Sequence, residues 1–155
     1  MIIRKIKSID TLSLRQEVLR PKNEIAECFY EGDDDKTTAH FGALQNDTIV
    51  GVISVYKRSN PIICSDHGFQ LRAMATASNV RGKGIGLKLL EVAENYAEQN
   101  YAEQNYAEQN KSNYIWANAR TVAIGFYKKA GYTTESQKFE IKGVGPHCLV
   151  IKNLT

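Results

Sequence analysis

The sequence predicts an α/β (α+β) protein with a mixed, mostly antiparallel central sheet of about seven strands and helices on both faces. Short segments alternate apolar and polar residues as strands do, and helical patterns interrupt them in the order β, α, three β, α, β, α, two β. A glycine-rich turn also separates the fourth predicted strand from the clearest amphipathic helical pattern.

The first third of the chain predicts three of these strands and one helix. Residues 2–6 alternate apolar and basic side chains as a strand does, and the helix predicted at residues 12–19 ends before Pro21. Residues 38–56 form a predicted hairpin that turns at residues 45–47. Because the second hairpin strand is apolar on both faces, we expect it to be central in the sheet.

An acidic run, Glu31 to Asp35, lies in an irregular stretch between the first helix and the hairpin. Such a run is usually a solvated turn. The alternative is that it attracts a cationic amine by its negative charge.

The glycine-rich turn occupies residues 80–86, after a strand predicted at residues 69–75. Glycines let the backbone approach an anion, and the free N–H groups of a helix N-terminus bind one. A P-loop is excluded because Gly84 follows Lys83, and the dinucleotide fingerprint fits poorly because Leu87 stands where it needs glycine. The remaining pattern is Arg-x-x-Gly-x-Gly, which we interpret as a pyrophosphate site.

The helix after this turn runs into a repeat, because residues 96–110 read Tyr-Ala-Glu-Gln-Asn three times without a change. Five residues advance a helix by about 500°, so the three repeated tyrosines cannot share one buried face. We interpret the extra copies as a tandem insertion that makes the helix overrun its usual end and return by a short extended segment. Domain swapping at this hinge is the alternative.

The C-terminal part predicts a strand at residues 114–119 and a helix at residues 122–129. Thr121 is the predicted N-cap of this helix, and Gly131 stands where a left-handed C-cap is expected. The last two strands are predicted from Tyr132 to Ile141 and from His147 to Lys152. The length of the chain predicts a single domain over residues 1–155.

Composition excludes several classes of protein. The net charge of +3 comes without a block of Lys or Arg, so we expect no nucleic-acid partner. The three cysteines lack CxxC spacing, which argues against a zinc site or a disulfide framework. No segment is apolar enough to be a membrane span or a leader, and we therefore expect a cytoplasmic protein without a membrane partner.

Two motifs resemble the GNAT superfamily of acetyl-CoA-dependent N-acetyltransferases. The Arg81 to Gly86 turn is similar to its pyrophosphate loop, and residues 118–132 are similar to its next motif, an Ala-x-x-Phe-Tyr helix that ends at Gly-Tyr. Small bacterial members also share elements that appear here as Leu19-Arg20-Pro21, Gly32 to Asp35 and Gly145-Pro146-His147. The predicted order of elements agrees, so the resemblance implies a GNAT-like fold over the whole chain except the repeat.

The resemblance also implies a role for each site residue. The acetyl-CoA pyrophosphate would be held by the backbone of six consecutive residues: Arg81, Gly82, Lys83, Gly84, Ile85 and Gly86. Met74 and Ala75 would pair with the pantetheine arm, and Asn118 would lie at the mouth of the slot for the thioester. Tyr127 would contact the cofactor and protonate the departing thiolate.

The base that removes the amine proton is less clear, because the strand at residues 69–75 has no carboxylate. His40, Glu140 and His147 are the candidates. We prefer His147, which begins a strand after a Gly-Pro turn and belongs to the residue type that titrates near neutral pH. A second departure is Arg120, where many relatives carry asparagine, so the way in which the cofactor arm is held there stays open.

The resemblance therefore implies an N-acetyltransferase that moves acetyl from acetyl-CoA to a primary amine of a small molecule or peptide by direct attack, without a metal. A homodimer is left open. The alternative is a catalytically silent GNAT-fold module that binds acyl-CoA. A dinucleotide-binding oxidoreductase is a weaker third reading, based on the glycine turn alone.

Overall fold

The computed structural model describes residues 1–63, 67–104 and 113–154, and the side chains of residues 101–104 lie outside this description. The chain divides into two compact units. The first unit comprises Met1–Lys57 and Leu71–Ala97, and the second comprises Arg58–Gln70 and Glu98–Thr155. The single domain over residues 1–155 stays a prediction.

The strands are β1 (Ile2–Ile6), β2 (Ala39–Gln45), β3 (Thr48–Lys57), β4 (Gly68–Thr76), β5 (Tyr114–Arg120), β6 (Thr133–Thr134), β7 (Phe139–Ile141) and β8 (Gly145–Asn153). The α-helices are α1 (Leu12–Leu14), α2 (Ile85–Gln104) and α3 (Ile124–Lys129). Short 3-10 turns are Ser8–Thr11, Ile25–Cys28, Ser78–Val80 and Thr121–Ala123, and Arg15–Leu19 forms a π turn.

The eight strands belong to one sheet with the order β1-β2-β3-β4-β5-β8-β6, and β7 pairs with β8. Strand β4 pairs with β5 in parallel, over Gly68–Gln70 and Tyr114–Trp116. The pairs β1–β2, β2–β3, β5–β8, β6–β8 and β7–β8 are antiparallel. The predicted mixed, mostly antiparallel sheet is therefore confirmed.

The strand predicted at residues 132–141 is wrong as a single element, since it consists of the short strands β6 and β7. Between them, the Ser136 hydroxyl accepts the Leu149 N–H of β8 at 2.8 Å. A side chain thus takes the hydrogen bond that a backbone carbonyl would accept in a continuous ladder.

The predicted hairpin is confirmed as β2 and β3. Its turn residues Asn46 and Asp47 have φ values of 51° and 63°, which is the two-residue turn that suits the twist of a hairpin. Strand β3 lies between β2 and β4 and is buried over most of its length, as expected for a central strand.

Within the first unit, helices cover both faces of β3. Val52 belongs to a buried cluster with Leu14 of α1. The neighbouring Gly51 faces α2, because a Cβ there would lie 3.0 Å from Leu89 Cδ1. Successive strand residues point to opposite faces, so α1 and α2 lie on opposite sides of this strand.

The helix predicted at residues 12–19 has the expected length but a different hydrogen-bond pattern. Only Leu12–Leu14 is α-helical, and Arg15–Leu19 is a π turn in which the Arg20 N–H donates to the Arg15 carbonyl at 3.0 Å. The side chain of Arg15 is buried in this turn.

Helix α2 includes the first copy of the repeat. The Tyr96 hydroxyl donates to the Thr37 carbonyl at 3.0 Å, its ring packs edge-on against Phe41, and Ala97 is buried. Of the other two copies, residues 101–104 continue α2, and residues 105–110 lie outside the described residues. The overrun, the return segment and the domain-swapping alternative therefore stay predictions.

The predicted Thr121 cap is wrong, because Thr121 begins a 3-10 turn and no side chain caps α3. The predicted left-handed C-cap is confirmed by a φ of 96° at Gly131. The Gly131 N–H donates to the Lys128 carbonyl and the Tyr132 N–H to the Tyr127 carbonyl, which closes the helix end.

Candidate active site

The glycine turn opens directly onto helix α2. Gly82 and Gly84 have φ values of 80° and 77°, in the left-handed region that favours glycine. The Gly84 carbonyl accepts the Lys88 N–H at 3.2 Å, so Gly84 caps the helix. A Cβ built on either glycine has no heavy atom within 4 Å. The turn thus leaves open space beside a helix N-terminus, where an anion such as a pyrophosphate could approach the backbone.

The other predicted residues of the turn differ in exposure. Arg81 and Lys83 are exposed, Gly86 is half-buried and Ile85 is buried. The Arg81 Nε donates to the Thr76 carbonyl at 3.3 Å, which holds this side chain back against the end of β4. The buried Ile85 anchors the first turn of α2, while the residues before it face solvent.

The position of this helix start depends on Gly51, a residue that sequence reasoning missed. A Cβ at Gly51 would lie 3.0 Å from Leu89 Cδ1 and 3.1 Å from Ile85 Cγ2, which is closer than ordinary side-chain contacts. The missing Cβ therefore lets the first two turns of α2 lie close to β3. In the sequence this glycine was visible only as one member of an alternating strand.

The two residues predicted to pair with the pantetheine arm lie near the end of β4. Met74 is half-buried and Ala75 is 2% exposed. The preceding residue, Ala73, has a φ of 56°, which is rare for a residue with a Cβ. This conformation interrupts the extended strand directly before Met74, and such strained positions concentrate at functional sites.

The second unit contains Asn118, Tyr127 and His147. Asn118 is exposed on β5 opposite Leu149 of β8, and His147 pairs with Arg120 in the same ladder. Residues two apart on a strand share a face, so Asn118 and His147 lie on one face as a diagonal cross-strand pair. The structure therefore brings these two predicted site residues together.

Tyr127 is a buried residue of α3, 6% exposed. Its ring packs edge-on against Phe126 and Tyr132, with centroids 5.4 Å and 5.3 Å away. Burial raises the pKa of the Tyr127 phenol to about 12. The hydroxyl consequently stays protonated throughout the neutral range.

His147 is 4% exposed and stacks on Phe139, with ring centroids 6.1 Å apart. Its Nδ1 lies 2.7 Å from the Gly145 carbonyl oxygen. A carbonyl only accepts, so Nδ1 carries the hydrogen and the lone pair of the neutral ring is on Nε2. This tautomer leaves Nε2 as the proton acceptor.

The other two candidate bases have different surroundings. The His40 Nε2 donates to the Asp33 carbonyl at 2.8 Å, and its Nδ1 lies 2.6 Å from the Ser54 hydroxyl. Both ring nitrogens of His40 are therefore used in structural hydrogen bonds. Glu140 is exposed on β7 opposite Pro146.

Asp33 of the acidic run is 4% exposed and is paired with the fully buried Arg15. Its carboxylate is therefore neither solvated nor available to attract a cationic amine. The Arg15 Nη1 donates to Asp33 Oδ2 at 2.6 Å and to the Cys28 carbonyl at 2.9 Å. Tyr56 and Tyr30 also donate to this carboxylate. For Asp33 the sequence interpretation was wrong, since an ion pair distant in sequence holds it.

The charges of this pair are stabilised by their hydrogen bonds. Burial opposes the charged form of Asp33, but the donors Arg15, Tyr30 and Tyr56 outweigh it and lower the pKa of the carboxyl. Burial and the hydrogen bond to Asp33 raise the pKa of Tyr56. The network thus keeps the Asp33 carboxylate ionised inside the first unit.

The decisive comparison is with protein families. A family model described as an acetyltransferase (GNAT) domain matches residues 36–134, more than half of the chain. The chain belongs to the GNAT acetyltransferase family. The matched GNAT segment contains the glycine turn, Asn118 and Tyr127, while Arg15, Asp33 and His147 lie outside it.

Individual GNAT proteins agree with this assignment. The uncharacterized N-acetyltransferase YitI of Bacillus subtilis (strain 168) is 29% identical over 152 residues, which cover 98% of this chain and 95% of that protein. A crystal structure of a candidate N-acetyltransferase from Lactobacillus plantarum has a TM-score of 0.73, 21% identity and full coverage of both chains. An aminoglycoside 6'-N-acetyltransferase complexed with coenzyme A has a TM-score of 0.72 and 15% identity, covering 100% of this chain and 98% of that one. The structural likenesses show the GNAT fold.

Other features of the described residues are unrelated to the GNAT motifs. A cavity of about 570 Å³ in the second unit has Ile63, Leu149 and Ile151 in its lining, and its described lining contains none of the predicted site residues. In the described ranges, no group of three or more His, Cys, Asp or Glu residues is arranged to hold a metal ion. Within the same ranges, no helix is long and apolar enough to cross a membrane.

Proposed function

We propose that this protein is an N-acetyltransferase that moves an acetyl group from acetyl-CoA to a primary amine of a small molecule or peptide. The observation that carries the proposal is the open turn at Gly82 and Gly84, where two left-handed glycines stand beside the N-terminus of α2. Membership of the GNAT family and a structural neighbour complexed with coenzyme A support the choice of a CoA thioester.

In this proposal, the backbone N–H groups of residues 82–86 bind the pyrophosphate, and the positive end of the α2 dipole adds to the attraction. The exposed Arg81 and Lys83 contribute positive charge at the same turn. The open Cβ positions of Gly82 and Gly84 are the space that phosphate oxygens would occupy.

Bound acetyl-CoA supplies an activated acetyl thioester. Met74 and Ala75 are the residues that we propose for the pantetheine arm, and the exposed amide of Asn118 is a further contact. The left-handed Ala73 redirects the backbone of β4 beside these residues. Backbone N–H groups at such a break are suited to stabilise the negative charge that develops on a carbonyl oxygen.

Tyr127 is the proposed general acid. Its buried phenol, with a pKa of about 12, retains the proton that the departing sulfur must receive. Burial also removes competing water, so the proton remains on a single defined donor. A phenylalanine at this position would keep the ring and lose the proton.

His147 is the proposed general base, directly or through a water molecule. The hydrogen bond from Nδ1 to the Gly145 carbonyl fixes the tautomer, and Nε2 is the atom that accepts the proton of the attacking amine. Direct attack needs a neutral amine, so this proton must leave before the new bond forms.

The test combines calorimetric titration with acetyl-CoA and a thiol-release assay over a panel of primary amines. Saturable acetyl-CoA binding with release of free thiol in the presence of an amine is the expected result. Binding without release on any amine favours the silent acyl-CoA-binding module, and tighter binding of NAD(H) than of CoA favours the oxidoreductase. The acceptor and a cytoplasmic location remain predictions.

A further inference from the structure

Three arginine side chains surround the ring of Tyr30 in the first unit. The guanidinium carbons of Arg15 and Arg72 each lie 4.5 Å from the ring centroid, and that of Arg20 lies 5.6 Å away. The Arg20 Nε also donates to the Tyr30 hydroxyl at 3.2 Å. Guanidinium groups at these distances are attracted by the face of the ring.

Among the described residues, only one of the three arginines around Tyr30 has a carboxylate partner. Arg15 is fully buried, and its partner Asp33 neutralises it at 2.6 Å. Arg20 and Arg72 are half-buried, and among the described residues neither has a carboxylate partner. The guanidinium of Arg72 contacts the rings of Tyr30 and Tyr56, but no hydrogen bond from it to a described residue is formed.

These side chains are already oriented. Arg72, which lies over the Tyr30 ring, and the hydrogen-bonded Arg20 lose little further freedom when they bind a ligand. A guanidinium presents its N–H groups as a planar fork that matches a carboxylate, and hydrogen bonds of this kind are the strong ones. We call Arg20, Tyr30 and Arg72 the arginine–tyrosine cluster.

The cluster lies close to the proposed site of chemistry along the chain. Arg72 is two residues before Met74 on β4, at most about 7 Å along the strand. An anionic group bound by Arg72 is therefore within a short molecule's length of the residues that we propose for the acetyl-bearing arm.

We propose that the arginine–tyrosine cluster binds a carboxylate of the acceptor, and that the acceptor is a small amine that also carries a carboxylate. This inference rests on the proposed function. The neutral amine nitrogen forms a bond to the acetyl carbon, the C–S bond of the acyl-CoA thioester breaks, the nitrogen loses its second proton to water, and the sulfur takes the proton of Tyr127. The products are the N-acetylated amino acid and CoA.

The test uses matched acceptors that differ in the anionic group, and rates are compared per neutral amine, because removing the carboxylate also changes the pKa of the amine. The amino acids are L-phenylalanine and 4-aminobutyrate, and the partners are their carboxamides and the amines without the carboxyl, phenethylamine and propylamine. Thiol release should be faster with the acids, with kcat/KM about 10- to 100-fold above that of the amides, because hydrogen bonds to a charged group are lost in the amides. Equal rates for acids and amides would overturn the inference.

Variants of the arginine–tyrosine cluster test whether these arginines cause the preference for acids. Arg72→Gln and Arg20→Gln should each raise the KM of the acids about tenfold or more, while the KM for acetyl-CoA and for the amides stays that of the parent. Arg72→Lys keeps the charge but loses the planar fork, so it should recover only part of the loss. Arg4→Gln, which removes an exposed arginine of β1 in the same unit, is the matched control and should leave the acid preference unchanged. A loss that is equal for acids and amides would indicate a structural role and contradict carboxylate binding.

Binding is also measured without turnover. Proton–nitrogen spectra of the arginine Nε–H groups, assigned with the Arg72 and Arg20 variants, are followed while the acids and amides are added. Saturable shifts at Arg72 and Arg20 with the acids alone support the carboxylate site even if no amine is acetylated, in which case only the proposed function fails. Thiol release with no acid preference and no such shifts overturns the inference and leaves the proposed function intact.

Discussion

Replacing Gly84 by alanine should have two effects that can be measured separately, one on the affinity for acetyl-CoA and one on the stability of the fold. Gly84 has a φ of 77°, and an added Cβ would have no heavy atom within 4 Å. The new methyl group therefore clashes with nothing in the free protein. Its cost in folding is the left-handed conformation, about 1–2 kcal/mol for a residue with a Cβ.

The same methyl group occupies the space that we assign to a phosphate oxygen. Moving that oxygen away loses at least one hydrogen bond to a charged group, about 1.5–3 kcal/mol. The affinity for acetyl-CoA should then fall by a factor of about 10 to 150. The melting temperature should fall by about 2–4 °C for each kcal/mol of lost stability in a chain of this size.

Gly143 provides a matched control. Its φ is 78° and a Cβ there also has no heavy atom within 4 Å, but it lies in the turn between β7 and β8. Gly143→Ala should lower the melting temperature as Gly84→Ala does and keep the parent's affinity in calorimetric titration. Equal loss of affinity in both variants, or parental affinity in Gly84→Ala, would refute the pyrophosphate assignment.

Three further variants test the site and the fold. Tyr127→Phe should lower kcat about 100-fold while the Kd for acetyl-CoA is unchanged, and an unchanged kcat would remove the general-acid role. Burial raises the pKa of Tyr127 to about 12, so kcat of the parent should not fall near pH 10 through ionisation of this phenol. A fall of kcat near pH 10 that is absent in Tyr127→Phe would contradict the buried environment. Asp33→Asn should lower the free energy of unfolding by about 3 kcal/mol, measured in urea, because Arg15 loses its buried partner. Hydrogen bonds lower the pKa of Asp33 in the folded protein, so its carboxylate stabilises the fold above the ordinary pKa of about 3.9. This stability should be lost as the pH falls through the pKa of the folded state. The asparagine variant should not show that loss. Deleting residues 101–110 should leave the melting temperature at or above that of the parent, and a clearly lower value would show that the repeat supports the fold.

Short-range patterns account for what the sequence predicted well. Strand β1, the β2–β3 hairpin and the Gly131 cap each follow from residues that are close in the chain, because alternation, turn geometry and left-handed glycine are local properties. The glycine turn belongs to this group, since its spacing and the following amphipathic pattern were enough to place a helix N-terminus there.

Contacts between distant segments account for what the sequence did not predict. Asp33 looked like one member of a solvated acidic run, and only the fold places it against Arg15 from a different segment. At the break between β6 and β7, the Ser136 hydroxyl accepts the backbone N–H of Leu149 from the distant strand β8. A single sequence carries no signal for such pairings, because serine, arginine and aspartate are all residue types that are mostly exposed.

The start of α2 depends both on a local sequence pattern and on a contact with the distant residue Gly51. The pattern of α2 specifies a helix that begins after Gly84, but it does not specify how close that helix comes to the sheet. The structure sets this distance at Gly51, where a Cβ would lie 3.0 Å from Leu89 and 3.1 Å from Ile85. Packed interiors transmit such a displacement rather than absorb it, so a larger residue on β3 would shift the first turn of α2 and the N–H groups that follow Gly84. The geometry of the proposed pyrophosphate site therefore depends on a residue of β3 that does not belong to the motif.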